Sequence, residues 1–144
     1  LFIIHFLNPL KGYMAKNLLL TLLATIGLAM PSCSQSAGSI PVLAPQTFIA
    51  QAQADNKAII IDVRTPDEYA AGHLPHALLI DYLNTPVFQQ RIKKLKKKHP
   101  YYIYCRSGKR SHAACQQMQA LGLTVYDMKG GIINYTAQGL PTVK

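Results

Sequence analysis

The segment YYIYCRSGKRS, residues 101–111, joins a strand pattern, a cysteine and a cationic loop in one short stretch. The aromatic and β-branched run 101–104 predicts a short buried strand. Cys105 follows this strand directly, and an Ala-rich helical pattern begins after Ser111. We therefore expect Cys105 to lie between the carboxyl end of a strand and the N-terminus of a helix. Backbone N–H groups and the helix dipole stabilise a thiolate at such a position.

The loop after Cys105 is cationic and contains a glycine. Its positive side chains would stabilise a thiolate and attract an anionic substrate. The glycine allows backbone angles that let successive N–H groups converge as an anion nest. We therefore interpret Cys105 as a nucleophile; the alternative is an ordinary buried cysteine before a solvated basic turn. The loop residues that we expect to bind substrate are Arg106, Ser107, Gly108, Lys109, Arg110 and Ser111.

Four residues separate Cys105 from Arg110, and this spacing bears on the chemistry. The loop of cysteine phosphatases has one residue more between its Cys and its Arg, which lets it wrap a tetrahedral phosphate or arsenate. Ser111 stands where that arginine would be. The loop length therefore argues against a phosphatase or an arsenate reductase, which we keep as an alternative.

Strand-like and helix-like segments alternate from Pro41 onward, which predicts an α/β fold with a mostly parallel sheet. In such sheets, functional sites form at the carboxyl ends of the strands. Thr65 as N-cap and Pro66 at the first helical position mark one helix start. The predicted strands are 58–63, 77–80, 101–104 and 124–126. The predicted helices are 47–53, 65–72, 85–97, 111–121 and a short one after Gly130-Gly131.

Two further motifs flank the cysteine loop in a fixed order. The first is IIIDVRTPDEYAAGHLPHALLI (59–80), and the second is VYDMKGGIINYTAQGLP (125–141). Together with the loop they resemble the signatures of the rhodanese family, whose single-domain exported members are sulfurtransferases. The match covers roughly residues 40–141. Three positions depart from the family pattern: Leu74 replaces Ile, His76 replaces Gly and Tyr135 replaces Trp.

The resemblance implies a rhodanese-like, mostly parallel five-stranded sheet with helices on both faces. It also implies that Cys105 takes the sulfane sulfur and that the amides of 106–110 hold the persulfide. Arg110, with Arg106 or Lys109, would hold the sulfonate end of thiosulfate. Asp62 and Arg64 would be buried structural partners near the loop, and we interpret them as an ion pair rather than as substrate ligands.

The activity that this resemblance implies is a thiosulfate sulfurtransferase, with thiosulfate or a related anion as donor and a thiol or cyanide as acceptor. No cofactor is implied, and the histidines and cysteines lack metal-ligand spacing. The second interpretation is a persulfide carrier or redox-partner module with little turnover. An inert binding domain is a further alternative, against which the intact Cys105 argues. We expect a monomer.

The first 33 residues read as an upstream extension and a secretory signal. Met14 is a better start than Leu1, and the apolar run 18–30 has the length of a signal core rather than of a membrane span. The residues before Cys33 resemble a bacterial lipobox, so we expect a lipid on Cys33 and attachment to a membrane. Cleavage near Ala37 and an uncleaved anchor are the alternatives, and all of them predict an exported, periplasmic or extracytoplasmic protein. Residues 34–40 read as a flexible tether, and 41–144 as the rhodanese-like domain.

Several remaining residues have structural interpretations. Cys115 is expected to pack under its helix as a small apolar group, with a resolving thiol for Cys105 as the alternative. His73 is expected in the core, and His112 is the one histidine near Cys105 in sequence. The net charge is +9, and the run 91–98 is strongly basic. We interpret this run as a solvated helix face rather than a nucleic-acid site; contact with anionic lipid is the alternative.

Overall fold

The computed structural model describes residues 38–144, which form an α/β fold with five strands and five helices. The sheet order is β1-β5-β4-β2-β3, and every neighbouring pair is parallel. The strands are β1 Val42–Leu43, β2 Ile59–Asp62, β3 Leu78–Leu79, β4 Pro100–Tyr104 and β5 Thr124–Met128. The helices are α1 Pro45–Ala54, α2 Pro66–Ala71, α3 Thr85–Ile92, α4 Lys109–Ala120 and α5 Gly131–Ala137. The predicted α/β fold with a five-stranded sheet is confirmed, and the sheet is entirely parallel.

The central strand β4 is buried on both faces because its side chains alternate between two hydrophobic clusters. Tyr101 and Ile103 pack with α3 and α4, whereas Tyr102 and Tyr104 pack with α1 and α5. This alternation explains why the segment reads as a nearly continuous apolar run rather than as a half-buried strand. It also directs the chain straight through the core, so that the next residue, Cys105, emerges at the carboxyl edge of the sheet.

Three of the differences from the sequence prediction have an identifiable physical cause. Helix α3 ends at Ile92 and not at Lys97, because adjacent turns of lysines repel each other; the N–H groups of Lys94 and Leu95 bond only three residues back. Helix α4 begins at Lys109 and not at Ser111, because Gly108 caps it in the left-handed conformation (φ 96°). Strand β1 was not predicted, since two residues show no periodicity; it forms by pairing with β5.

Two local features agree with the motifs. Thr65 caps α2 with a full capping box, and Pro66 stands in the first turn. His76, at a position where the family signature has Gly, adopts φ 62° in the left-handed region.

The first described residues, 38–40, contact the rest of the domain. Ile40 packs against the hydrophobic cluster under α4, and the Gln119 side chain donates a hydrogen bond to the Gly38 carbonyl (2.8 Å). Residues 38–40 of the predicted tether therefore contact the domain. The predicted signal and the lipidation of Cys33 lie outside the described residues. Within 38–144, no helix has both the length and the apolar character needed to cross a membrane.

Candidate active site

Cys105 lies where the sequence placed it, after β4 and before α4. Its residue is 1% exposed, and its Sγ accepts a hydrogen bond from the Gly108 N–H at 3.2 Å. Gly108 adopts the left-handed conformation, which turns its N–H toward the sulfur. A residue with a side chain would be strained in this conformation, which explains the glycine. The loop thus begins an amide cradle around the sulfur at the N-terminus of a 12-residue helix.

The start of α5 holds the same loop from the other side. The N–H groups of Ile132 and Ile133 donate to the carbonyls of Cys105 (2.9 Å) and Arg106 (3.2 Å). Gly131 makes this contact geometrically permissible, because a Cβ there would lie 2.4 Å from the Cys105 carbonyl oxygen. We did not assign this role from the sequence. The adjacent glycines Gly130-Gly131 were the available signal, since close backbone approach is a common reason for glycine.

Arg110, expected to bind the sulfonate, forms a two-bond ion pair with Glu68. Its Nη2 lies 2.7 Å from Glu68 Oε1, and its Nη1 lies 2.8 Å from Oε2. The Arg110 hydrogen bond lowers the pKa of Glu68 to about 2, well below its usual range. Glu68 also accepts hydrogen bonds from Thr65 in the capping box. Glu68 was not predicted as a site residue, although the Thr-x-x-Glu spacing indicated its local partner Thr65.

The other loop residues divide into exposed and buried groups. Arg106, Ser107 and Lys109 are exposed, and within 38–144 the side chains of Arg106 and Lys109 have no hydrogen-bond or ion-pair partner. Ser111 is fully buried, and its Oγ donates to the Gly108 carbonyl (3.1 Å). Arg106 and Lys109 are therefore the cations of the loop without a partner in the described chain, whereas Ser111 stabilises the position of Gly108 through a hydrogen bond.

Asp62 and Arg64 form a buried ion pair just behind the loop. Arg64 Nη2 lies 2.6 Å from Asp62 Oδ2 and also donates to the Gly72 carbonyl at 2.7 Å. The Tyr104 hydroxyl donates to Asp62 Oδ2 (2.6 Å) and accepts from the Leu74 N–H. Burial raises the pKa of Tyr104, so it stays protonated as a donor. This network fixes the strand end that precedes Cys105.

A second buried polar group lies under the first turns of α4. Asp127 is 2% exposed, and its Oδ2 lies 3.3 Å from His112 Nδ1. Its Oδ1 has no hydrogen-bond partner among the described residues, and burial raises the pKa of this carboxyl. His112 is thus engaged with Asp127. Cys115 is completely buried as a free thiol in the hydrophobic cluster, which agrees with its predicted packing role, and burial raises its pKa.

His73 is a hydrogen-bonded, half-buried histidine, close to the predicted core role. Its Nδ1 lies 3.0 Å from the Tyr69 carbonyl oxygen, and its ring stacks on that of Tyr69 with centroids 3.6 Å apart. It contacts none of the loop residues through these interactions.

Comparison with known proteins identifies the family of this chain. The Rhodanese-like domain family matches residues 45–138. A protein of Allochromatium vinosum named Sulfurtransferase is 37% identical over 97 residues, which cover 66% of this chain and 88% of that protein. The solved structure of a rhodanese-related protein from Thermoplasma volcanium has a TM-score of 0.64 and 25% identity, covering 72% of this chain and 97% of that one.

The structure of a thiosulfate sulfurtransferase from Pseudomonas aeruginosa aligns with a TM-score of 0.60 and 25% identity, over 73% of this chain and 19% of that longer one. The Thermoplasma chain consists almost wholly of the matched region, so a domain of this kind folds by itself. The family match spans more than half of the chain and includes the whole Cys105 loop. The chain described here therefore belongs to the rhodanese-like domain family.

Proposed function

We propose that this protein is a sulfurtransferase that carries sulfane sulfur as a persulfide on Cys105. The observation that carries the proposal is the Gly108 N–H, which lies 3.2 Å from the Cys105 Sγ at the N-terminus of α4. An N–H donor at a helix N-terminus favours a negatively charged sulfur. The sulfurtransferase name of the Allochromatium vinosum relative supports the same reaction class.

The proposed donor is thiosulfate or a related small anion. The Cys105 thiolate attacks the outer sulfur, a new S–S bond forms, and the S–S bond of thiosulfate breaks with its electron pair leaving on sulfite. In the second half-reaction a thiolate or cyanide attacks the terminal sulfur. The persulfide bond then breaks, and its electron pair returns to Cys105 as the thiolate.

The charges of the loop support an assignment of the residues that bind the donor. Glu68 neutralises Arg110 through two short hydrogen bonds, whereas Arg106 and Lys109 are exposed and have no partner within 38–144. We therefore assign the sulfonate end of thiosulfate to Arg106 and Lys109, and assign Arg110 to positioning of the loop. The amide cradle holds the transferred sulfur.

The experiment is intact mass spectrometry of residues 38–144 before and after thiosulfate, with Cys105→Ser and Cys115→Ser beside it. We expect a gain of one sulfur, about 32 Da, in the unmodified domain and in Cys115→Ser, and its removal by cyanide. No gain in any protein, or an equal gain in Cys105→Ser, contradicts the proposal.

Turnover then distinguishes an enzyme from a carrier. An enzyme with a covalent intermediate gives parallel lines in double-reciprocal plots when thiosulfate is varied at several fixed concentrations of the acceptor. A persulfide that forms but is not released to cyanide or small thiols identifies the carrier alternative. Phosphate-ester hydrolysis that depends on Cys105, without sulfur gain, identifies the phosphatase alternative.

We further propose that the chain is exported and lipid-anchored at Cys33. The apolar run 18–30 followed by a small residue and Cys33 supports this proposal. Labelling of the full chain in a bacterial host with a fatty-acid probe tests it. Label in the full chain and not in Cys33→Ser is the expected result; equal label in both overturns it.

A further inference from the structure

The most strongly charged surface of the described domain is a turn that the proposed reaction does not use. Five of the six residues 93–98 are lysines, and all five are exposed. The three ion pairs found within 38–144 involve Arg64, Arg110 and His112, so none of these lysines is paired there. The turn, which we name the lysine turn, therefore carries uncompensated charge.

The lysine turn lies at the amino-terminal ends of the parallel strands, whereas Cys105 lies at their carboxyl ends. We call the amino-terminal side this edge of the sheet. Only His99 separates the turn from the start of β4, whereas Cys105 directly follows β4, and a five-residue strand spans roughly 17 Å. One carboxylate, Asp55, lies near the same edge, where it accepts a hydrogen bond from the Lys57 backbone N–H. The lysines outnumber it, so this edge is strongly positive.

The described chain enters the domain at this same edge. The Gly38 carbonyl accepts a hydrogen bond from Gln119, in the last turn of α4. Just beyond that helix, a Cβ at Gly122 would lie 3.2 Å from Lys97 Nζ. The point where residues 1–37 join the domain and the lysine turn are therefore both next to the C-terminal end of α4.

We infer that the lysine turn docks the domain on an anionic lipid surface, with the Cys105 loop facing away from it. Lysines on a turn suit a diffuse layer of headgroup phosphates, which attracts each cation separately. We favour a lipid surface over a nucleic acid, because recognition of bases uses arginine forks and exposed aromatic rings. Near the turn, neither group is available for bases: Tyr101 is buried, and the Arg91 side chain donates a hydrogen bond to the Leu79 carbonyl. The lipid proposed on Cys33, five residues before Gly38, would bring this edge to a membrane.

The test is co-sedimentation of residues 38–144 with vesicles of phosphatidylcholine alone or mixed equally with phosphatidylglycerol. Two variants change the same amount of charge: Lys94→Gln with Lys98→Gln in the turn, and Lys129→Gln with Lys144→Gln elsewhere. We expect binding to the anionic vesicles only, weakened by added salt, and weakened about tenfold by the turn variant but little by the other.

Equal loss in the two variants overturns the inference, because net charge alone would then explain binding. Binding to neutral and anionic vesicles alike, or to neither, also overturns it. Tighter binding to duplex DNA than to the anionic vesicles at the same salt concentration assigns the turn to nucleic acid instead.

Orientation has its own readout, since the chain contains no tryptophan. Lys98→Trp places a fluorophore in the turn, and Ile133→Trp places one beside the Cys105 loop, where the side chain is 51% exposed. Brominated lipid should quench the first and leave the second unchanged. Equal quenching of both, or quenching of the second alone, contradicts the proposed orientation.

Discussion

Glu68 and Arg110 join the first helix after β2 to the first turn after the active loop, through two hydrogen bonds of 2.7 and 2.8 Å. Glu68 also caps its own helix with Thr65. One carboxylate thus connects a local capping motif to the loop that holds Cys105. This connection makes Glu68 the residue through which the stability of α2 and the geometry of the loop are coupled.

Replacing Glu68 by Gln should lower the free energy of unfolding by about 1 kcal/mol, because the part-buried ion pair with Arg110 is lost while the Gln side chain can still accept a hydrogen bond from the Thr65 N–H. Asp67→Asn is the matched control: it removes the same charge one residue away, at an exposed position in the same turn. It should change stability by less than about 0.5 kcal/mol. Urea denaturation measures both, and equal losses would contradict the role of the pair.

The pH dependence of stability should report the same pair. The pKa of Glu68 is lowered from 4.5 to about 2 in the folded state, so its contribution is complete above 4.5 and disappears as pH falls toward 2. The stability difference between the wild type and Glu68→Gln should therefore shrink across this interval. Asp127 has a raised pKa and acts in the opposite sense, but it is common to both proteins and cancels in the difference. A difference that is constant with pH contradicts the assignment.

Gly131→Ala should destabilise the domain by about 3 kcal/mol or more, because its Cβ would lie 2.4 Å from the Cys105 carbonyl and the residue has φ 58°. Gly139→Ala is the control, since Gly139 has φ 72° but nothing within 4 Å of an added Cβ. It should cost only about 1 kcal/mol of backbone strain. Thermal unfolding compares the two variants. A cost for Gly131→Ala no larger than that of the control would mean that α5 does not clamp the loop.

Tyr104→Phe should cost about 1–3 kcal/mol, since it leaves Asp62 Oδ2 and the Leu74 N–H without their shared hydroxyl in a buried site. Tyr126→Phe is the control on the neighbouring strand, where the hydroxyl forms no hydrogen bond to another described residue. That change should stay within about 0.5 kcal/mol. Chemical denaturation distinguishes the two, and equal effects would remove the argument for a network behind Cys105.

His76→Gly should stabilise the domain by about 0.5–1 kcal/mol. His76 is exposed and sits at φ 62°, where a side chain is strained and glycine is not. His99→Gly, at a half-buried histidine whose φ is not positive, should destabilise instead. Calorimetric melting temperatures provide the measurement, and a lower value for His76→Gly would show that the histidine makes compensating contacts.

Local signals predicted much of the fold because they act within a few residues. Thr65 and Pro66 started α2 as expected, and the apolar run before Cys105 became the central strand. Helix α3 is shorter than the helical spacing of Ile92 and Leu95 predicts, since it ends at Ile92. Repulsion among the lysines after Ile92 competes with that spacing, and a periodicity count does not include it.

The edge strand β1 could not be predicted from local sequence either. Val42 and Leu43 carry no strand signal of their own, and they are ordered by backbone hydrogen bonds to β5, far along the chain. A two-residue strand has too few side chains to express a pattern.

The sequence by itself determined the strand–cysteine–helix order, the position of Cys105 and the loop length, because these depend on neighbours along the chain. Only the tertiary structure decided that Arg110 is neutralised by Glu68, that Gly131 lies against the Cys105 carbonyl and that the lysine turn shares an edge with Gly38. Each of these contacts joins segments distant in sequence. These contacts form because parallel strands place the loops that follow or precede them at the same end of the sheet. No local sequence pattern predicts such a contact.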